Sequence, residues 1–238
     1  MNWSNIKYIF LKELRSFFNS PVAYVVIIVY LVFLGYFFTN DLFLSGQSSL
    51  RTVFDISEIL LIFFAPAMTM RLISEEKKSG TLELLVTKPV REFEIILGKF
   101  LAAWALFFFT LLPTLCYFVT VAAIGSLDFG VVMGGYLGLM LIGGVFLAVS
   151  LFCSSLTENQ IIAVIVSFAI VGLLWILNKI LIFFPSTAAT VLEYVSVDYH
   201  FSNIARGVID SRDMIYYLCA IGFSLYMGSV VLGKRRWS

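Results

Sequence analysis

The chain has 238 residues, 61% of them hydrophobic and 13% charged, with a mean hydropathy of +0.98 and a formal net charge of +1. Soluble domains carry about 25% charged residues, so this composition excludes an ordinary soluble globule and calls for a lipid environment. The near-neutral balance, without a basic patch interleaved with stacking aromatics, gives no support to nucleic acid as a partner.

The first element is an amphipathic helix over residues 3–19. Trp3, Ile6, Phe10, Leu14 and Phe17 recur at helical spacing, and Asn5, Lys7, Lys12, Glu13 and Arg15 occupy the remaining surface. That pattern suits a helix lying in the membrane interface, although an ordinary cytosolic N-terminal helix has the same periodicity. Asn19 and Ser20 can cap the next helix, and Pro21 suits its first turn. The apolar run after Pro21 lacks a small-residue cleavage site and is followed by five more spans, so it is not read as a signal peptide.

A membrane-crossing helix needs roughly 20 apolar residues. Six stretches qualify: 21–38, 53–70, 97–124, 131–153, 161–178 and 214–232. The expected fold is an all-α membrane protein forming one transmembrane domain over the whole chain. Counting Lys and Arg with the N-terminus inside puts twelve on the inner side and four on the outer side. Positively charged loops resist translocation, so both termini and the 71–96 loop are expected in the cytoplasm.

Within that loop Gly80 can cap a helix that starts at Thr81. Glu83 stands where an acid suits the helix dipole, and Pro89 stops the helix. Leu82, Leu85 and Val86 then share one face. Two readings stand: the face docks on a partner surface, or the leucines fold back on the membrane and the charges solubilise a connector. Glu75, Glu76, Lys77 and Lys78 can extend the second span below the membrane, and 92–99 can lead into the third.

The fourth span carries Gly134, Gly135, Gly138, Gly143, Gly144 and Ala148, spacings that let helix backbones approach closely in lipid. Packing within the subunit is the default reading, and a flexible gating seam is the other. "SLTENQ", 155–160, reads locally as a polar cap and turn. The outer segment 179–213 is long enough for two short helices, with Gly207 and Asp210 suited to a break and Ser211 and Asp213 to capping the last span. Glu58, Arg71 and Lys179 lie near span ends, where snorkelling to water is the expected behaviour.

Chemistry-bearing motifs are scarce. Gly98 and Lys99 are followed by Phe100 and lack the glycine-rich cradle of a P-loop, so the chain is not expected to bind ATP. The single histidine, His200, has no nucleophile or metal-spaced neighbours and reads as a satisfied interfacial residue. Cys116, Cys153 and Cys219 lie in apolar runs without CxxC spacing, which points to core residues and not to disulfides or zinc.

Three stretches in order, "EEKKSGTLELLVTKPV" with Gly98–Lys99, "CSSLTENQ", and "HFSNIARGVIDSRDMIYY" with a closing "GKRRW", resemble the type-2, exporter-like permease subunits of ABC transporters. Within that family the likeness is to the gliding-motility-associated and copper-enzyme-maturation permeases. The resemblance implies an interfacial elbow helix, six spans, both termini inside and partly re-entrant extracellular helices before the last span. It implies a coupling helix through which Glu75, Glu76, Gly80, Thr81, Leu82, Glu83 and Leu85 contact or position a cytoplasmic ATPase dimer. A smaller contact is implied through Thr157, Glu158, Asn159 and Gln160, and an outer gate involving His200, Phe201, Gly207, Asp210 and Asp213. ATP and magnesium would then belong to the ATPase, and this chain would hold no cofactor and perform no catalysis. The implied setting is a bacterial inner membrane, with a second permease subunit as homodimer or related heterodimer. The output would be export or mechanical work such as gliding motility, with room for a periplasmic accessory protein. The rival is a stand-alone channel or secondary transporter, which predicts activity without nucleotide. A membrane enzyme would need a polar catalytic cluster that the sequence does not contain.

Overall fold

The computed structural model describes residues 2–45, 50–81, 90–125, 128–180, 192–208 and 210–235. Among them every regular element is helical, and six helices are long and apolar enough to cross a membrane. Each contains one of the six expected stretches. The expected docking face at Leu82, Leu85 and Val86, with Glu83, lies outside the described residues.

The elbow helix, Trp3–Asn19, is capped by Asn2, whose side chain accepts from the Ser4 amide at 3.1 Å. Its packed strip is Ile6, Ile9 and Glu13, offset from the apolar face read in the sequence, while Trp3 and Tyr8 are exposed. Gly98 is the reason for the offset. A Cβ there would stand 2.8 Å from the Ile9 side chain, so the glycine lets the elbow lie directly on the base of span 3. Ser20 ends the elbow and caps span 1 (Pro21–Asn40), its hydroxyl accepting from the Val22 amide at 3.3 Å. Span 1 buries only Ala23, Tyr30, Leu34 and Phe38, leaving the rest of its apolar surface for lipid.

Span 2 (Arg51–Lys78) has 28 residues. At about 1.5 Å per residue it is about 42 Å long, well beyond the roughly 30 Å hydrocarbon layer. Gly80 takes φ +69 and ends this span, the Ser79 amide donating to the Glu75 carbonyl at 2.9 Å and Gly80 to Lys77 at 3.3 Å. Gly80 thus closes span 2 as a left-handed glycine and stands directly before Thr81, which is helical, as expected.

Span 3 starts at Glu92 and is not one continuous helix. It runs to Leu111, passes through a 3-10 turn at Leu112–Thr114 and resumes at Leu115–Ile124. Pro113 is the cause: it lacks an amide to donate, and the Thr114 hydroxyl bonds the Leu111 carbonyl at 2.6 Å.

Span 4 (Phe129–Leu156) is the axis of the bundle, packed against spans 2, 3, 5 and 6 and the short helix Val197–Ala205. Every residue from 141 to 151 is buried. Its glycines make this possible. A Cβ at Gly134 would meet the Ile204 carbonyl oxygen at 2.3 Å, at Gly135 the Phe54 ring at 2.1 Å, and at Gly143 the Phe107 ring at 2.4 Å. Lipid supplies no hydrophobic drive between helices, so such close packing is what holds them together. All three contacts are within the subunit, in line with the default reading.

Span 5 (Gln160–Ile180) buries a narrow stripe of Ala163, Ser167 and Val171. A helical turn at 192–195 and the Val197–Ala205 helix follow, then span 6 (Ser211–Arg235). Span 6 returns to the elbow end, where Gly228 lies against Ile96 and Phe152. The break between the two short helical pieces falls at Ser196 and not at Gly207. Gly207, at φ +85, ends the second piece. Asp210 caps span 6, its carboxylate accepting from the Arg212 amide at 3.0 Å; Ser211 is already helical and Asp213 is buried inside the first turn.

Candidate functional site

At the elbow end four charged side chains from three elements form one cluster. Lys99, one residue past the glycine under the elbow, is 1% exposed, and its ammonium lies 2.8 Å from Glu13 Oε1 and 2.9 Å from Glu76 Oε1. Lys12 bridges the same two oxygens from the solvent side at 3.2 Å each. A charge deep in an apolar wall is tolerable only when paired and hydrogen-bonded, and Lys99 is both. Burial pushes the Glu13 carboxyl up, but the Lys99 ammonium and then Lys12 outweigh it and hold Glu13 below the usual carboxylate value. Burial pulls Lys12 down, and Glu13 and Glu76 more than offset that, leaving it raised.

The cluster is one of several ties between these elements. The Asn2 amide and the Asn5 side chain donate to the Glu94 carboxylate at 2.6 and 3.0 Å, anchoring the elbow to the start of span 3. The Ser74 amide donates to Ser154 Oγ at 3.2 Å, Ser154 Oγ donates to the Met70 carbonyl at 3.0 Å, and Lys77 donates to the Ser155 carbonyl. Gln160 Nε2 donates to Glu75 Oε2 at 3.2 Å. The root of the 71–96 loop is thereby fixed to the elbow, to span 3 and to the turn between spans 4 and 5.

The structure thus brings together Glu75, Glu76, Gly80 and Thr81 from one expected contact and the 157–160 turn from the other. Glu76 points inward to the cluster, while Glu75 and Thr81 are exposed. In the turn, Thr157 Oγ1 accepts from the Asn159 amide at 3.1 Å and Asn159 Oδ1 accepts from the Ile161 amide at 2.9 Å, so Thr157 holds the turn, Asn159 caps span 5 and Glu158 is left exposed. Leu82, Glu83 and Leu85 lie outside the described residues. Lys99 and Glu13 were missed as site residues. The available signals were a lysine abutting an apolar run and a carboxylate in register with Ile6 and Ile9.

At the far end, His200 is fully engaged: Nδ1 lies 2.6 Å from Asp213 Oδ1, Nε2 lies 3.1 Å from the Tyr194 carbonyl, and the ring stacks on Tyr216 with centroids 4.0 Å apart. Phe201 packs on Gly138, and Gly207 lies against Gly130 and Val131. Four of the five expected gate residues therefore sit in one packed layer over span 4, and Asp210 stands at its edge as a cap. Beside it Asp198 accepts from Asn178 at 2.6 Å and pairs with Lys179 at 3.4 Å.

Glu58 departs from expectation. It is 3% exposed, its carboxyl faces that of Asp198, and its Oε1 has no hydrogen-bond partner. Snorkelling is excluded for Glu58 because it lies two turns inside span 2 on the face covered by Asp198. Lys179 and Arg71 are exposed, as expected of residues near span ends.

A family model described as ABC-2 family transporter protein matches residues 36–209 of the chain. No curated protein matches it.

Proposed function

The chain belongs to the ABC-2 family of transporter proteins, multi-pass membrane permeases that generally work as non-catalytic subunits beside an ATPase, and from this premise we propose how it is driven. The elbow end faces the cytoplasm. Two copies, or one copy and a related chain, form the transmembrane unit in a bacterial inner membrane. A cytoplasmic ATPase dimer, holding ATP and magnesium, seats the 81–86 segment in a groove, with Glu75 and Glu158 at the rim. Nucleotide binding closes the ATPases, and the displacement passes into spans 2 and 3. The output is export or mechanical work, gliding motility being one form of the latter.

The observation that carries this reading is the Lys99–Glu76–Glu13 cluster at the root of the loop. It makes the end of span 2, the start of span 3 and the elbow one block, so a push on the short loop cannot be absorbed by slack between them. Removing one member of a buried, paired cluster costs about 3–5 kcal/mol, against about 0–1 kcal/mol for an exposed pair.

The test is co-expression with a candidate P-loop ATPase from the same organism. The wild-type chain should retain the ATPase through purification and raise ATP turnover in lipid, and Leu82→Asp with Glu83→Arg should lose both while still inserting. Equal retention and turnover by the double variant would refute the coupling role. Glu58 is the one observation that favours the stand-alone transporter, since a buried acid in a span can mark an ion path. Ion flux through the chain alone, abolished by Glu58→Gln, would establish that rival instead.

A further inference from the structure

The elbow helix, span 1 and span 2 do not close on one another. A cleft of about 380 Å³ separates them. Val22, Ala23, Val26 and Met68 give it apolar walls, and Ser16, Ser20 and Arg71 give it polar ones. Two of the acids in the wall, Glu13 and Glu76, are already neutralised by Lys99 and Lys12.

Two charges remain on the polar walls. Arg71 is exposed and makes no ion pair or hydrogen bond to any described residue. Glu75 is exposed one turn further along the same helix, with one oxygen bonded to Gln160. Residues four apart on a helix stand about 5–6 Å apart at Cβ. An unpartnered guanidinium is a two-pronged phosphate receptor, and a carboxylate beside it accepts N–H donors from an ammonium. The apolar walls of the same cleft call for methylenes.

We propose that this cleft binds a phospholipid bearing a phosphoethanolamine headgroup. Its phosphate lies on Arg71, its ammonium on Glu75 and the first methylenes of its chains against Val22, Val26 and Met68. The opposite charges, in the order and spacing of the zwitterion, select the amine headgroup. Phosphatidylglycerol brings hydroxyls but no cation to Glu75, and a choline headgroup has no N–H to give it. Glu75 is shared with the rim of the ATPase contact proposed above, so the site is tested on the chain without the ATPase.

The test uses the full chain purified in detergent. Phosphatidylethanolamine, phosphatidylcholine, phosphatidylglycerol and inorganic phosphate are added separately, and the thermal midpoint and lipid retention by native mass spectrometry are read. Phosphatidylethanolamine should raise the midpoint and be retained most. Arg71→Ala should weaken its retention about tenfold or more, the size expected for one charge-assisted contact. Glu75→Gln should bring phosphatidylethanolamine down to the level of phosphatidylcholine. Should Arg71→Ala fail to fold, Ser16→Trp, which fills the cleft without removing a charge, should abolish retention. Equal effects of the three lipids, a preference for phosphatidylglycerol, an effect of inorganic phosphate alone equal to that of lipid, or full retention by Arg71→Ala or Ser16→Trp would each overturn the proposal.

Discussion

Replacing Lys99 by methionine keeps the length of the side chain and removes its charge. In the wild type the ammonium is 1% exposed and sits 2.8 and 2.9 Å from two carboxylates. Without it, Glu13 and Glu76 face each other with only Lys12 between them. Breaking a buried pair by removing one partner costs about 3–5 kcal/mol, much of it the penalty for the charges left behind. Lys12 reaches both acids at 3.2 Å and its side chain is 57% exposed, so it and water can screen part of the repulsion. The expectation is therefore the low end, about 3 kcal/mol, or roughly a hundredfold in the population with the elbow detached. Tryptic cutting at Arg15, exposed on the elbow, reports that population in lipid nanodiscs, and a mixed-micelle denaturant titration reports the stability. Adding Glu13→Gln and Glu76→Gln to Lys99→Met should restore most of the loss, because the stranded charges go with it. A cost below about 1 kcal/mol, typical of an exposed pair, or no recovery in the triple variant would refute the reasoning.

The pH dependence of elbow attachment follows from Glu13. Its folded value is held below the usual 4.5, so its contribution is fully present above that value and is lost as pH falls through the lower folded one. Tryptic cutting is unsuited to acid, so hydrogen exchange of the elbow amides should show the step, and Glu13→Gln should reduce it, the part left belonging to Glu94, whose carboxylate also anchors the elbow. In span 4, Gly134→Ala and Gly135→Ala should each cost about 1–3 kcal/mol or more through forced displacement of Ile204 and Phe54, whereas Gly222→Ala, with nothing within 4 Å, should be neutral or mildly stabilising in the same titration. Asp213→Leu should cost about 1–3 kcal/mol by leaving His200 Nδ1 without its partner at 2.6 Å, and Asp213→Asn should recover part of it.

The six spans were readable because a bilayer imposes one length and one polarity on every crossing helix. Helix caps were readable where they depend on local chemistry, as at Ser20 and Asn159. What depends on a partner element was not readable. Periodicity placed Phe10 and Leu14 on the elbow's inner face, but Gly98 lets Ile9 in and so sets the rotation of the helix. Lys99 counted as one more loop charge until Glu13, 86 residues away, supplied its counter-ion. Glu58 seemed close enough to a span end to reach water, and only the placement of the Val197–Ala205 helix over it closes that route. Pro113 carried its own signal, a missing donor inside an apolar run, and the 3-10 turn is its direct result.

The most direct measurement of the coupling account is photo-crosslinking from the root of the 71–96 loop. A photoreactive amino acid placed at position 81, and separately at position 158, is activated in the complex reconstituted with the candidate ATPase. Position 212, at the far end, serves as the comparison. The account predicts crosslinks to the ATPase from 81 and 158 that change in yield between the nucleotide-free and ATP-bound states, and none from 212. Absence of crosslinks at both elbow-end positions, or crosslinks from 212 in their place, would contradict it.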